Sequence, residues 1–415
     1  MKENQNKTCG TFCNNMRLPV HRWYRYSAGF SANWVRSVIQ EYKPNTVLDP
    51  FAGSGTTLLA SEQESVKSYG YESHYFVTRI AQAKLSWNAS ISSLTLYAKK
   101  LLERAETITP DIFHEFSLVQ KCFSETNLVQ LCKLRESFEL LQENIPPPVR
   151  NLLWLAITSI LRPCSQVSTA QCQYILPSKT KTNILKPFEA FKHKIKIMIF
   201  DMQHFQRNVQ PIGKLFVHDA REQLNILKDT IDLVITSPPY PNNYDYADST
   251  RLEMSYWHEI SRWSDLQFSI RRFLIHSCSQ HTAAEKLELK YILESQQLKP
   301  IARELSEICY RLEKERKLHV GKKTYDTMVA AYFNDLASVF YALRYVCKRG
   351  SHLCFIVGDS APYGVYVPVE EFMGRLALAS GFKNYSFEKI RDRNVKWKNR
   401  IHTVPLKEGC LWIEG

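Results

Sequence analysis

Near the start of the chain, stretches with apolar residues at helical spacing alternate with short apolar runs typical of strands. In residues 31–42 apolar side chains recur at helical spacing, and Pro44 predicts where that helix ends. The pattern then predicts a strand at 46–48, a glycine-containing turn at 49–55 and a helix at 56–60. A second strand at 66–71 and another helix at 74–87 follow. The first 90 residues therefore predict a leading helix followed by a β-α-β unit.

Two long helical stretches interrupt the strands that follow. Apolar residues at helical spacing run through 90–205, and a charged helical pattern covers 251–348. Short apolar runs predict further strands at 214–218, 232–236, 352–357, 385–390 and 410–413. Strands that alternate with helices favour an α/β fold built on a doubly wound sheet, and we expect the first helical stretch to be an insertion into that sheet.

Composition excludes several broad classes of protein. Among 415 residues, 44% are apolar, which is typical of a globular chain and excludes wholesale disorder. The sequence has no apolar run of about 18 residues that would predict a membrane span, and no secretory signal follows the N-terminus. The 11 cysteines form no Cys-x-x-Cys pair, so we expect no metal site and thiols that are buried or free in a reducing cytoplasm.

The balance of charges favours an anionic partner. Lys and Arg number 54 against 41 Asp and Glu, which gives a net charge of +13. Such an excess attracts polyanions, nucleic acid first, although a solvated basic surface has the same charge. In the most basic segment we expect contacts to a nucleic-acid backbone, rather than a solvated hairpin, from Arg391, Arg393, Lys396, Lys398 and Arg400.

The glycine-containing turn lies where a Rossmann-like fold binds its cofactor, between the first strand and the next helix. In Val47-Leu-Asp-Pro-Phe-Ala-Gly-Ser-Gly-Thr-Thr57, Gly53 and Gly55 allow a tight turn and close approach of the backbone. A dinucleotide fingerprint needs a third small residue where this chain has Leu58, and a P-loop needs a lysine after the glycines. The turn therefore favours a ligand without a pyrophosphate.

Two carboxylates accompany this turn. Asp49, at the end of the first strand, suits a cationic ligand, and Glu72 ends the second strand, where an acid accepts both ribose hydroxyls of a nucleoside. S-Adenosylmethionine fits this set because it combines a nucleoside with a cationic sulfonium and an ammonium and carries no phosphate. The alternative is a structural turn beside a surface glutamate.

A second motif ends another apolar strand. In Asp232-Leu-Val-Ile-Thr-Ser-Pro-Pro-Tyr240 two prolines fix the backbone and remove two N–H donors. The carbonyl groups of this turn therefore stay free to accept hydrogen bonds from the amino group of a ligand.

The two motifs together resemble those of the amino-methylating DNA methyltransferases, and Ser-Pro-Pro-Tyr is most similar to the cytosine-N4 members. The resemblance implies a Rossmann-like, class I S-adenosylmethionine-dependent methyltransferase sheet with helical insertions. It also implies methyl transfer from S-adenosylmethionine to N4 of cytosine in double-stranded DNA. As in restriction–modification systems, a companion restriction endonuclease is expected, though not as a stable subunit.

One departure from the family pattern leaves adenine-N6 methylation as an alternative. The glycine motif precedes Ser-Pro-Pro-Tyr, whereas many cytosine-N4 enzymes have the reverse order. A circular permutation of this kind keeps the pocket intact, so both bases fit the pattern. The pattern also leaves open an RNA base methyltransferase and a non-enzymatic DNA-binding protein on the same fold.

The resemblance also implies residues for each part of the site. Segment 21–30 is similar to the family segment that closes over the methionine part of the cofactor. Segments 243–246 and 251–253 resemble the sequence after the Pro-Pro-Tyr turn, and 357–359 and 381–382 resemble later strands. The implied cofactor-binding residues are Asp49, Phe51, Gly53, Gly55, Thr56, Glu72 and Asp219, of which the last contacts the adenine amino group, and the catalytic residues are Ser237, Pro238, Pro239 and Tyr240.

In the implied mechanism Ser237 and the Pro238 carbonyl accept the two N–H groups of the base amine, and Tyr240 stacks on a base flipped out of the duplex. Pro163-Cys164 resembles the Pro-Cys of cytosine-C5 methyltransferases, but it follows a helix far from any strand end, so we expect no catalytic role.

The predicted organisation is a cofactor-binding half at 1–90, a helical insertion at 91–205, the catalytic strand and turn at 206–250, a helical DNA-recognition region at 251–348 and the remaining strands at 349–415.

Overall fold

The strands of the protein form one large sheet and one small hairpin. The computed structural model describes residues 10–169, 175–242, 244–319, 323–393 and 404–415, without the side chains of 176 and 177. Within these residues the strands are β1 (Thr46–Asp49), β2 (Lys67–Tyr71), β3 (Val167–Thr169), β4 (Ile175–Thr180), β5 (Gly213–Phe216), β6 (Ile231–Thr236), β7 (Cys347–Gly358), β8 (Asn384–Arg393) and β9 (Leu406–Glu414). The large sheet has the order β5-β2-β1-β6-β7-β9-β8, and β3 pairs with β4.

The order of the large sheet creates a switch point beside β1. Strands β5, β2, β1, β6 and β7 are parallel, whereas β9 is antiparallel to both β7 and β8. From β1 the chain turns to β2 on one side and later to β6 on the other. In an open α/β sheet, ligands bind outside the carboxyl ends of the strands at such a point.

Helices cover both faces of the sheet, and all four residues of β1 are buried. The helix α1 begins after Ser31, whose hydroxyl accepts the Trp34 N–H, and it ends where Lys43 takes a left-handed conformation (φ 47°). In the described residues the helices are α1 (Ala32–Tyr42), α2 (Thr56–Gln63), α3 (Tyr75–Leu85), α4 (Ile91–Thr107), α5 (Ser117–Cys122), α6 (Glu125–Leu141), α7 (Pro147–Cys164), α8 (Pro187–Asn208), α9 (Arg251–Tyr256), α10 (Asp265–Ser269), α11 (Ser279–Ala284), α12 (Leu289–Leu293), α13 (Ala302–Leu318), α14 (Tyr325–Val346) and α15 (Val369–Ala379).

Helices α4 to α8 lie in the chain between β2 and β5 and share one apolar core. The sequence predicts only helices there, but the structure adds the β3–β4 hairpin between α7 and α8. The sequence of β3 is Val-Ser-Thr and that of β4 is Ile-Leu-Pro-Ser-Lys-Thr, so neither forms the apolar run or alternation that predicts a strand.

Helix α14 forms the centre of a second core against the other face of the sheet. Most of its 22 residues are buried, and they pack with β6, β7 and α15. The α/β fold class predicted from the sequence, a class I methyltransferase sheet with added helices, is confirmed. None of the helices in the described part of the chain is long and apolar enough to cross a membrane.

Candidate active site

A pocket opens at the carboxyl ends of β1, β2, β5 and β6. It encloses about 780 Å³ of empty space, counting its open mouth. Seven residues predicted from the sequence line it: Phe51, Gly53, Thr56, Glu72, Asp219, Ser237 and Pro239. The other four predicted residues, Asp49, Gly55, Pro238 and Tyr240, do not line it.

The glycine turn forms one wall of the pocket. Gly53 and Gly55 both have left-handed backbones, with φ of 51° and 84°, which side chains disfavour. A Cβ atom on Gly53 would lie 3.0 Å from the ring of Tyr26, so the missing side chain also allows this close packing. Gly55 lies two residues after Gly53 and directly before α2. It shapes the turn without lining the pocket.

Asp49 lies beneath the turn. Its carboxylate is fully buried and accepts hydrogen bonds from the Thr236 hydroxyl at 2.6 Å, the Thr57 hydroxyl at 2.7 Å and the backbone N–H of Phe51 at 3.0 Å. Burial raises its pKa to about 6 despite these donors. Asp49 therefore ties β1, β6 and α2 together, and its predicted interaction with a cationic ligand stays a prediction.

Glu72 lines the pocket directly after β2. One carboxylate oxygen accepts the Gly53 N–H at 2.9 Å, and the other accepts the His74 N–H at 2.8 Å. Burial is the main cause that raises its pKa to about 7. Because Glu72 lines the pocket, its carboxylate is placed to accept hydroxyl groups from a ligand there.

Asp219 lines the pocket after β5 and is held by an ionic chain. Both of its oxygens accept hydrogen bonds from Arg221, whose guanidinium also reaches Asp335 at 3.2 Å. Asp335 in turn accepts a hydrogen bond from His276 at 2.7 Å, and Glu285 lies 3.1 Å from the other ring nitrogen. Burial opposes protonation of His276, but the two carboxylates outweigh it and raise its pKa to about 9.

The Ser-Pro-Pro-Tyr turn closes the pocket at the end of β6. Ser237 donates a long hydrogen bond of 3.4 Å to the Ile356 carbonyl of β7, and its side chain also interacts with the Tyr240 hydroxyl. The guanidinium of Arg393 lies 5.0 Å from the centre of the Tyr240 ring, within cation–π distance. Burial raises the pKa of Tyr240, so this hydroxyl stays protonated at neutral pH.

The segment before α1 borders the same pocket. Tyr26, Gly29 and Phe30 line it, in the region expected from the family resemblance. Asn15 holds this segment in place, because its amide donates to the Phe30 carbonyl at 2.8 Å and accepts the Ala32 N–H at 3.0 Å.

The second helical stretch adds residues to the pocket that no sequence motif predicted. Phe273, Leu274 and Ile275 line it, although they belong to no motif. The neighbouring Arg271 is buried and forms an ion pair of 2.7 Å with Asp245, which follows the Ser-Pro-Pro-Tyr turn. A buried arginine needs such a partner, but the sequence alone does not reveal which acid supplies it.

The remaining predicted residues have different outcomes. Arg391 pairs with Glu408, and Arg393 also donates to the Asp359 carbonyl, so both groups are bonded within the protein. Lys396, Lys398 and Arg400 lie outside the described residues, as does Asn243. Cys164 ends α7, fully buried and away from the pocket, and burial raises its pKa to about 12. The described residues contain no cluster suited to a metal ion.

Comparisons with known proteins agree with this arrangement. A family model described as DNA methylase, covering N6 and N4 methyltransferases, matches residues 2–83. The Type II methyltransferase M.BsoBI of Geobacillus stearothermophilus is 27% identical over 94% of this chain and 84% of its own. The Type II methyltransferase M.AvaI of Nostoc sp. is 26% identical over the same shares, and no solved structure matches significantly. The resemblance to the amino-methylating DNA methyltransferases of restriction–modification type is therefore confirmed, and it extends over nearly the whole chain.

Proposed function

We propose that this protein transfers a methyl group from S-adenosylmethionine to N4 of cytosine in double-stranded DNA, as the modification enzyme of a restriction–modification system. The observation that carries the proposal is one pocket formed by the glycine turn, two acids at strand ends and the Ser-Pro-Pro-Tyr turn. The similarity to Type II methyltransferases supports DNA as substrate and a companion restriction endonuclease.

The pocket has the chemistry that S-adenosylmethionine requires. Glu72 accepts the ribose hydroxyls, and Asp219, kept in place by Arg221, accepts the adenine amino group. Phe51, Gly53 and Thr56 line the same pocket, while Asp49 and Gly55 set the shape of the turn from outside the lining. When bound, the cofactor supplies an electrophilic methyl group on a cationic sulfonium.

The Ser-Pro-Pro-Tyr turn prepares the amino group of the base. The lone pair of an exocyclic amine is delocalised into the ring, which makes it a weak nucleophile. The Ser237 hydroxyl and the Pro238 carbonyl accept its two N–H groups and so favour a pyramidal nitrogen with a localised lone pair. Ser237 donates its hydroxyl proton to the Ile356 carbonyl, so the lone pairs of its oxygen can accept an N–H group of the amine.

Tyr240 supplies the stacking surface for a base that has left the duplex. An enzyme that acts on a base edge must take the base out of the helix. Arg393 lies over the Tyr240 ring and restricts its motion, while the phenol stays neutral. An aromatic ring held in this way stacks on any base, so the ring supports base flipping without choosing the base.

Serine at position 237 is the feature that favours cytosine-N4 over adenine-N6. Adenine-N6 members of the family more often carry Asp or Asn there, and both side chains can hold an amino group. The match to a family that covers N6 and N4 enzymes keeps adenine-N6 methylation as the second candidate. We retain 251–348 as the proposed DNA-recognition region, since its residues 273–275 already border the pocket.

The test is transfer of a radiolabelled methyl group from S-adenosylmethionine to duplex DNA, single-stranded RNA or neither. We expect label in DNA alone. The Ser237→Ala variant should lose most turnover while binding the cofactor as the wild type does, and Ser92→Ala, exposed on α4 outside the proposed DNA-recognition region, is its matched control. Label in RNA alone, or in neither substrate, would contradict the proposal.

A further inference from the structure

A second, smaller cavity adjoins the proposed cofactor pocket behind the glycine turn. It encloses about 240 Å³ of empty space, counting its open mouth, and shares Tyr26, Gly29, Ser54 and Thr56 with the larger pocket. Two basic side chains, Lys84 and His21, line its inner part. Neither of them belongs to the glycine turn or to the Ser-Pro-Pro-Tyr turn.

Lys84 brings an ammonium group into this cavity. The residue is only 2% exposed, and its Nζ donates to Ser54 Oγ at 3.2 Å. Among the described residues no carboxylate forms an ion pair with it; burial, reinforced by the nearby Lys194, lowers its pKa to about 7. With this pKa the amine is partly neutral near pH 7, and an anion bound beside it would stabilise the ammonium form.

His21 completes the basic lining. It is also 2% exposed, and within the described part of the chain neither ring nitrogen has a hydrogen-bond partner. Asp201 anchors its neighbours, because it accepts the backbone N–H of Val20 at 3.0 Å and the indole N–H of Trp23 at 2.9 Å. A neutral imidazole always carries one N–H, so His21 can donate one hydrogen bond into the cavity.

We infer that Lys84 and His21 bind the carboxylate of the methionine part of S-adenosylmethionine. The inference rests on the proposed function and goes further, since it adds Lys84 of α3 to the cofactor site and gives His21, within segment 21–30, a defined role. The two cavities meet at Ser54, between the two turn glycines, so a ligand that passes the glycine turn reaches Lys84. A carboxylate neutralises the ammonium and accepts from the imidazole, whereas a water molecule leaves the charge uncompensated.

Calorimetry with two ligands tests this inference. Decarboxylated S-adenosylmethionine keeps the nucleoside, the sulfonium and the amine, and lacks only the carboxylate. The wild type should bind S-adenosylmethionine roughly 10- to 150-fold more tightly, the range for a hydrogen bond to a charged group. Lys84→Met should remove most of that preference, because the ammonium partner of the carboxylate is lost and only the hydrogen bond from His21 remains.

Two further variants sharpen the comparison. Lys99→Met removes a lysine that is 74% exposed and distant from both cavities, and it should keep the wild-type preference. His21→Leu should reduce the preference partially. Methionine is close to lysine in length and suits a buried site, so Lys84→Met should fold, and melting curves check this.

The outcomes separate the inference from the proposed function. Equal affinity of the wild type for both ligands would overturn the inference, whatever the variants do. An unchanged preference in Lys84→Met would also overturn it and leave the lysine a structural residue. Binding of neither ligand would overturn the inference together with the proposed cofactor.

Discussion

Replacing Glu72 by glutamine should weaken cofactor binding and stability for separate, measurable reasons. The Glu72 carboxylate accepts the Gly53 N–H at 2.9 Å and the His74 N–H at 2.8 Å, one on each oxygen. Glutamine offers one oxygen and one NH₂ group, so one of the two backbone N–H groups loses its acceptor. An unsatisfied buried group costs about 1–3 kcal/mol of folding free energy.

The loss of cofactor affinity follows from the same geometry. The remaining acceptor positions of the carboxylate face the pocket, where the ribose hydroxyls are proposed to bind. Losing a charged acceptor for them costs about 1–3 kcal/mol, or roughly 5- to 150-fold in Kd. Isothermal titration with S-adenosylmethionine measures this change, and Glu103→Gln, 61% exposed on α4, is the matched control.

The pH dependence gives a second test of Glu72. Its pKa is raised from the usual 4.5 to about 7 in the folded protein, so the folded state holds more protons between these values. Stability should therefore fall as the pH rises from 4.5 to 7, and Glu72→Gln should remove this part of the slope. Since the carboxylate is the better acceptor, cofactor affinity of the wild type should rise through pH 7. Unchanged Kd in Glu72→Gln, with a pH profile like that of the wild type, would refute the ribose assignment.

Three further predictions concern other parts of the molecule. Tyr240→Ala should bind the cofactor normally but lose turnover by roughly 5- to 150-fold, from about 1–3 kcal/mol of stacking, in steady-state kinetics; a parallel loss of cofactor affinity would contradict this. His276→Gln should lower stability by about 1.5–3 kcal/mol at pH 6 in thermal melts. That difference should vanish as the pH rises through about 9, where the wild-type histidine loses its proton. DNA affinity should fall steeply with salt, by a log–log slope of about −0.9 per phosphate contact, and neutralising Lys396, Lys398 and Arg400 together should flatten it; an unaltered slope would exclude them as contacts.

The strands and turns of the site could be predicted because their signals are local. The run from β1 through the glycine turn to α2 lies within 46–63, and the second turn directly follows β6. Since the carboxyl ends of parallel strands meet at one edge of a sheet, residues after β1, β2, β5 and β6 could be expected to converge. The structure brings seven of the predicted residues to one pocket, while Asp49 lies beneath it as a connector.

The rest of the site depends on contacts between distant parts of the chain. Phe273 to Ile275 reach the pocket through the Arg271–Asp245 ion pair, and Arg393 reaches Tyr240 from β8. Lys84 is one residue of an ordinary amphipathic helix, and only the fold shows that it is buried without an acidic partner among the described residues. Such features are set by tertiary packing, which local periodicity and motifs do not encode.

The proposed product is cytosine methylated at N4, and mass spectrometry of nucleosides identifies the methylated base. Unmethylated duplex DNA is incubated with the protein and S-adenosylmethionine, digested completely and analysed against synthetic standards, with Tyr240→Ala as the control for turnover. We expect N4-methylcytosine as the new nucleoside. N6-methyladenine in its place would contradict the cytosine assignment, and 5-methylcytosine, or no methylated nucleoside, would contradict the amine-directed mechanism itself.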